Sequence, residues 1–585
     1  MSVRAGTGPA AARTDPLATV LRGLDRLLAG VSASHAHACA GLLVLGLVCF
    51  LPGLASLQPM DRDEPRFAQA SKQMLETGDL VDIRFQGEAR HKKPVGIYWA
   101  QAATVAAAEA LGVSEARTSI GLYRIPSLAG ALAASLLTYW AALAFLPRRG
   151  ALIAAALFTA CIMLSAEARL AKTDALLAAC AVAAMGALAR LHLGQVSRAT
   201  VPALWLGIAL GLLIKGPMVP LLVGLAALVL SLRRRSGRWL LAARPVPGLA
   251  LMLLIVAPWF AAIAWKTGGA FYGEAVGHDM LAKVGGGAER HWGPPGAYAL
   301  AFFATFWPGA AFAALAVPFA WRARREEGVA FLLAWIVPAW AIFEAVPTKL
   351  PHYVLPLMPA VAILTVLALA RGALDPARRG AAWGAAWVPA WVAGLVVLIP
   401  AALAVGLPAA AWHLDRAVPW AGLPVLLGAS ALAVLAWSAL RRGAGEGALA
   451  LAVAASALMS PAVFGMTQPV MASLKVSPRL AAIRDRLPCP HPRVASLGYR
   501  EPSLVFLVGT DLATPATAEE AVAFLRAGGC RLVFVEGREQ AAFAAAATGL
   551  DTTRVGTVSG FNINGGKPVA LAAYATGLAP AETRP

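Results

Sequence analysis

Hydrophobic residues along this chain come in blocks of roughly 17–25, each long enough to cross about 30 Å of hydrocarbon. In lipid the backbone must satisfy its own hydrogen bonds, so these blocks are expected as helices. Their Ala and Leu content favours the same conformation. The length rule places about thirteen spans. They start near Ala38, Arg124, Ala151, Asp174, Val201, Met218, Gly248, Tyr298, Val329, Tyr353, Ala382, Val418 and Gly447. The pattern therefore predicts an all-α polytopic membrane protein. The polar remainder divides into an N-terminal extension over 1–36, loops over 58–123 and 266–297 inside a membrane domain spanning 37–466, and a tail over 467–585.

Each polar segment has its own pattern. The extension carries one short amphipathic helix, Leu17–Leu28, suited to a membrane surface. No small-residue cleavage site follows a short apolar core there, so no cleavable signal peptide is expected. The first loop is too long for a mere connector. Asp63 can cap a helix with Glu64 and Pro65 in its first turn. Phe67, Ala70, Met74 and Leu75 follow at helical spacing, and Gly78 ends the run. A second helix is expected from Pro94 to about Leu111. Both read as helices lying along the outer membrane surface. In the tail, Val494–Leu497, Cys530–Val535 and Lys567–Tyr574 read as strands. Ala518–Ala527 and Glu539–Thr548 read as helices, so a small α/β domain of roughly 100 residues is expected.

Composition agrees with the pattern: 59% of the 585 residues are hydrophobic and 14% charged. A net charge of +19 would point a soluble protein towards nucleic acid. Here the excess is explained by arginines on cytoplasmic loops, and no nucleic-acid partner is expected. With the N-terminus inside, the even-numbered gaps between spans hold Arg148 and Arg149; Arg190 and Arg198; Arg233, Arg234, Arg235, Arg238 and Arg244; Arg322, Arg324 and Arg325; Arg371, Arg378 and Arg379; and Arg441 with Arg442. The opposite gaps are poorer in arginine. This puts the first long loop and the tail outside.

Four cysteines lie in apolar spans. Cys489 and Cys530 are the two in the tail, and no metal-type spacing occurs. Each sits beside a predicted strand. If those strands are parallel neighbours, a disulfide can close a loop of about 40 residues, worth roughly 3–4 kcal/mol.

Candidate chemistry gathers at the outer ends of the spans, where polar groups are costly. Asp61-Arg62-Asp63-Glu64-Pro65-Arg66 sets carboxylates between arginines; it is either a site or a helix start with first-turn acids. Arg90-His91-Lys92-Lys93 suits a phosphate or, equally, headgroup anchoring. Arg169, Asp174, Lys215 and the run Thr348-Lys349-Leu350-Pro351-His352-Tyr353 project to the same face, where any one of them alone is also a snorkelling anchor or a turn. Val284-Gly285-Gly286-Gly287 lacks the phosphate-loop pattern and reads as a mobile lid, followed by His291.

Taken together and in order, these clusters resemble the polytopic C-type glycosyltransferases, nearest the lipid A aminoarabinose transferases, with protein O-mannosyltransferases more distant. The matching stretches are MDRDEPRFAQASKQMLETGDLVDIRFQGEARHKKPVGIYW, ARLAKTDALL, LLIKGP, HWGPPGAY with FWPG, and TKLPHYVLPLMP. In the tail LGYREPSLVF and GCRLVFVEGRE match as well. The resemblance implies a hexosyl- or pentosyltransferase of the bacterial inner membrane that moves a sugar from a polyprenyl-phosphate donor to a glycolipid or glycan acceptor at a periplasmic site. It implies Asp63 as catalytic carboxylate with Arg66 beside it, Lys93 on the donor phosphate, and Asp174, Lys349 and Tyr353 lining the cavity. Glu64, Lys92, Lys215 and His291 complete the expected substrate-binding set. The aminoarabinose transferases carry a zinc-associated Glu where this chain has Lys92, with His291 at the other metal-associated position. An ammonium there disfavours a dication, so no metal is expected to be required. A lipid or polysaccharide transporter is the alternative; it predicts charges and broken helices at the bilayer midplane.

Overall fold

The computed structural model describes residues 15–60, 62–275, 277, 292–375, 387–489 and 491–578. A helix stands at or beside each predicted span. Eight described helices are long and apolar enough to cross a membrane, from Ile120–Ala142 to Gly445–Val470. The paired helices Pro16–Val31 and His35–Phe50, bent by 119° at their junction, make a ninth candidate. Thr200–Lys215 and Ala310–Arg322 are shorter apolar helices, and Arg148–Thr159 ends after 12 residues. Length and apolarity therefore qualify fewer spans than the hydrophobic blocks suggested, because several blocks break at Pro or Gly. The block starting near Tyr298, for example, divides into Ala297–Thr305 and Ala310–Arg322 around Pro308 and Gly309. The start near Ala382 lies outside the described residues.

The bundle packs through small residues. A Cβ on Gly130 would lie 2.7 Å from the Leu176 backbone nitrogen, so Ile120–Ala142 and Asp174–His192 approach closely only because Gly130 has none. At one end of the bundle the arginine-rich connections meet acids from other connections. Arg149 pairs with Asp25 and Glu446, Arg442 with Asp15, Arg233 and Arg234 with Glu327, and Arg371 with Glu326. The long first loop and the tail stand at the other end.

Two helices do form in the first loop, Asp63–Thr77 and Gly96–Ala110, joined by a small hairpin of β1 (Arg84–Phe85) and β2 (Glu88–Ala89). Gly78 ends the first helix at φ 74°. Arg62, not Asp63, holds the N-cap position, and no side chain caps this end; Asp63 is the first helical residue. Nor does this helix lie flat on lipid. Every residue from Phe67 to Met74 is buried, polar ones included. It is sandwiched between Gly96–Ala110 and the tail. Lys72 donates to the Phe506 carbonyl at 3.1 Å, Gln69 to Thr510 at 2.6 Å, and Gln86 to the Thr510 and Leu512 carbonyls.

The tail is the expected α/β unit. Its sheet runs β3-β4-β6-β5, with β3 (Arg493–Leu497), β4 (Arg531–Glu536), β5 (Thr553–Asn562) and β6 (Lys567–Thr576). β3 and β4 are parallel, Arg493 opposite Arg531; β6 runs antiparallel to both β4 and β5. Cys489 and Cys530 stand at the leading ends of β3 and β4, joined as a disulfide with Cα atoms 6.3 Å apart. Strand β5 escaped the sequence reading, because its Thr, Ser, Gly and Arg residues leave it mostly solvent-facing with little alternation. Helices Val476–Asp485 and Pro502–Val508 were missed as well.

Candidate functional site

Asp63 enters the site from the first turn of its helix. Arg66, one turn on, lies 3.9 Å from its carboxylate, and Arg90 reaches it at 3.8 Å from the segment after β2. Arg90 is buried, with its guanidinium 5.0 Å above the Phe67 ring, whereas the Asp63 side chain remains 44% exposed. Burial by itself would raise the Asp63 pKa. The charges of Arg90, Lys172, Arg66 and His352 outweigh it, and the net shift is downward from the ordinary carboxylate value. The group is an ionised carboxylate facing solvent.

Behind it lies a buried network from four span ends. Asp174 opens the helix Asp174–His192, and Lys215 closes Thr200–Lys215; their side chains meet at 2.5 Å. Glu167, the last residue of Ile162–Glu167, lies 3.4 Å from Lys172. His352 joins the two acids, 3.7 Å from Glu167 and 3.9 Å from Asp174. Lys215 also sits 5.0 Å over the Tyr353 ring. Asp63, Arg66, Asp174, Lys215 and Tyr353 are thus gathered at one end of the bundle. Lys172 and Glu167 are the members to which the sequence reading gave no role, and Arg90 and His352 had none of their own. Arg90 and His352 lay inside noted runs; Lys172, two residues before Asp174, carried a signal only as a cation beside an acid.

Other expected members have different employment. Glu64 is not available to a substrate. It is fully buried, held in a two-pronged pair by Arg124 at 2.7 and 2.9 Å, and accepts from the Ala171 N–H. Arg124 also donates to the carbonyls of Leu54, Leu57 and Gln58. Lys349 does not point into the cluster either. Its ammonium donates to the carbonyls of Phe343, Glu344 and Val346, closing the C-terminus of Glu327–Ala345. Arg169 is buried among the carbonyls of Cys49, Pro52 and Ser165. Glu64, Lys349 and Arg169 stood as candidate charges in the sequence; in the fold their hydrogen bonds are consumed by backbone groups and, for Glu64, by Arg124. Lys92 and Lys93 are half-buried, Lys93 donating to the Lys92 carbonyl. His91 is latched to Asp82 at 2.8 Å. His291 and the segment Val284-Gly285-Gly286-Gly287 lie outside the described residues.

The zinc implied by the resemblance does not fit these residues. The position needing a carboxylate holds the ammonium of Lys92. Glu167, Asp174 and His352 do bring ligand atoms within 4.8 Å of one another. Lys172 and Lys215, however, already neutralise the two carboxylates. An ion-pair network is the arrangement these charges satisfy.

Residues 58–270 match the family described as dolichyl-phosphate-mannose-protein mannosyltransferase. The chain is 29% identical over 386 residues to the undecaprenyl phosphate-alpha-4-amino-4-deoxy-L-arabinose arabinosyl transferase of Erwinia tasmaniensis, covering 64% of this chain and 66% of that one. It is 28% identical over 333 residues to arabinosyl transferase 2 of Pseudomonas fluorescens, covering 56% and 59%. The matches thus span about three fifths of these relatives' lengths. The crystal structure of ArnT from Cupriavidus metallidurans bound to undecaprenyl phosphate superposes with a TM-score of 0.71 at 20% identity, over 94% of this chain and 98% of that one. The fold is therefore the one seen in ArnT, in a multi-pass membrane protein. In sequence the chain is similar to undecaprenyl phosphate-alpha-4-amino-4-deoxy-L-arabinose arabinosyl transferases.

Proposed function

We propose that this protein is an inverting glycosyltransferase of the bacterial inner membrane that moves a sugar from a polyprenyl-phosphate carrier to a lipid A-like or other glycan acceptor on the periplasmic side. The observation that carries the reading is one ionised, solvent-reachable carboxylate, Asp63, set beside a surplus of fixed cations at the span ends. Arg66, Arg90, Lys172 and Lys215 face Asp63, Glu167 and Asp174. The names of the similar transferases, and the undecaprenyl phosphate bound to ArnT, support a polyprenyl-phosphate donor.

In this reading the acceptor oxygen attacks the glycosyl carbon from the face opposite the carrier. The carbon–oxygen bond to the phosphate breaks, and the polyprenyl phosphate leaves with the electron pair. The arginines and Lys93 stabilise its growing charge. Asp63 orients the acceptor, and takes its proton if it is a hydroxyl. A phosphate acceptor is already ionised and needs only the orientation. The transporter alternative places charges at the bilayer midplane. Here Asp174 begins its helix and Lys215 ends its own.

Purified protein incubated with labelled undecaprenyl-phosphate sugars is expected to transfer label when lipid A is present. No transfer to any glycan or glycolipid would overturn the reading. Activity is expected to survive chelator, because Lys92 replaces the metal-ligating acid; loss under chelation with rescue by zinc alone would refute that. A membrane-impermeant thiol reagent is expected to label a cysteine placed at Gly566 in intact cells, and not one placed at Arg234. The opposite result would reverse the orientation.

A further inference from the structure

At the arginine-rich end of the bundle, connections pair their cations with acids from other connections, as Arg149 does with Asp25 and Glu446. Arg198 and Arg244 differ: among the described residues no ion pair holds either side chain. Arg198 precedes the helix Thr200–Lys215, and Arg244 directly precedes Pro245–Thr267. Between these two helix starts opens a recess of about 640 Å³, within the ~300–1,000 Å³ of small-ligand sites.

The recess is polar at its outer edge and apolar further in. Arg198, Arg244 and Ser197 line the edge, and no Asp or Glu contributes. Val201 and Trp205 on one helix and Leu251 on the other continue the wall through the first two turns. Trp205 fixes the base. Its indole donates to the Ala243 carbonyl at 2.8 Å, immediately before Arg244. The ring lies where a side chain on residue 248 would stand; a Cβ on Gly248 would be 1.9 Å from the indole nitrogen. Only 22% of the apolar stretch of Pro245–Thr267 is buried within the protein, so this helix faces lipid.

We infer that this recess binds one anionic glycerophospholipid of the surrounding membrane, its phosphate held by Arg198 and Arg244 and an acyl chain laid along Trp205 and Leu251. The inference needs the membrane class alone and goes beyond the transferase reading. Charge complementarity selects the headgroup: two arginines with no acid beside them lack a counter-charge, and a phosphodiester supplies one with oxygens matched to guanidinium donors. The apolar wall selects a lipid over a free phosphate. A zwitterionic headgroup would bring its own cation beside the arginines, which disfavours it.

The test titrates the full chain in detergent with phosphatidylglycerol, or with phosphatidylcholine of the same acyl chains, and counts bound lipid by native mass spectrometry. One phosphatidylglycerol is expected to bind about ten-fold more tightly than phosphatidylcholine. Arg198→Gln and Arg244→Gln are each expected to weaken phosphatidylglycerol about ten-fold, the loss of one charge-assisted contact, and to leave phosphatidylcholine unchanged. Both arginines are exposed, so the variants fold. Arg26→Gln, which removes an exposed arginine from the helix Pro16–Val31, is expected to change neither affinity. Equal wild-type affinity for the two lipids, or equal weakening by Arg26→Gln, would show ordinary surface attraction and overturn the site. A photoreactive benzophenone side chain at Leu241, exposed on the rim, is expected to crosslink phosphatidylglycerol, and to lose the adduct when Arg198→Gln and Arg244→Gln are combined. An adduct that persists would also overturn it. Undecaprenyl phosphate bound there as tightly as phosphatidylglycerol would overturn the glycerophospholipid assignment.

Discussion

Replacing Asp63 by Asn is expected to lower sugar transfer by about 10²–10⁴-fold, with the protein reaching the membrane in normal amount. The substitution is nearly isosteric and falls on the first helical residue, where no side-chain cap is lost. What disappears is the negative charge that Arg66 and Arg90 flank. The pH dependence carries the sign. The Asp63 pKa lies below the ordinary carboxylate value despite burial, because Arg90, Lys172, Arg66 and His352 surround it. The carboxylate is therefore ionised throughout the neutral range, and protonates only as the pH falls below the unperturbed value near ~3.9. An activity profile taken down from neutral pH should show no limb from this group until that region. Wild-type initial rates in Asp63→Asn would remove Asp63 from the chemistry. A limb near neutrality that vanished in the same variant would contradict the depressed pKa.

Removing the Arg124 guanidinium is expected to be the most destabilising single change near the site. Arg124 and Glu64 are both fully buried, and Arg124 further satisfies three carbonyls at Leu54, Leu57 and Gln58. Arg124→Met leaves the Glu64 carboxylate to the Met60 and Ala171 N–H donors and removes the guanidinium donor from three carbonyls in a dry interior. Breaking such a pair costs about 3–5 kcal/mol, far more than forming it contributed. Thermal unfolding in detergent should fall by many degrees, with activity lost alongside, since Glu64 adjoins Asp63. Arg124→Lys keeps a charge but not the planar fork, so it should recover only part of the loss. An unfolding temperature within a degree or two of wild type for Arg124→Met would show that the pair does not brace the loop.

That pair also shows where sequence reading reaches its limit. Asp63-Glu64 read as two acids suitable for one site. In the fold they are adjacent on a helix and face different ways, one towards solvent and one into the bundle. Adjacent helical positions point about 100° apart, but which of them meets Arg124 depends on a helix that begins more than fifty residues later. Lys349 is similar: a cation near an expected phosphate site in sequence, a cap on a neighbouring helix in space. Lys172, passed over in sequence, reaches the network because the turn after Ile162–Glu167 folds it back on Glu167.

The membrane class, the position of most helices, and a small α/β tail with the strands β3 and β4 were legible in the chain alone; that β3 and β4 pair in parallel was there only a condition. Those follow from local quantities: apolar length against bilayer thickness, backbone self-satisfaction, and short apolar runs bounded by Pro and Gly. Which charges pair with one another, and which stay open to solvent, was settled by the packing of distant helices. The tertiary structure also turned the helix Asp63–Thr77 from an expected surface element into one buried between bundle and tail. The physical reason is that a charged side chain in a low-dielectric interior must find its partner wherever the chain brings one. Those partners come from distant helices whose mutual approach no local pattern records.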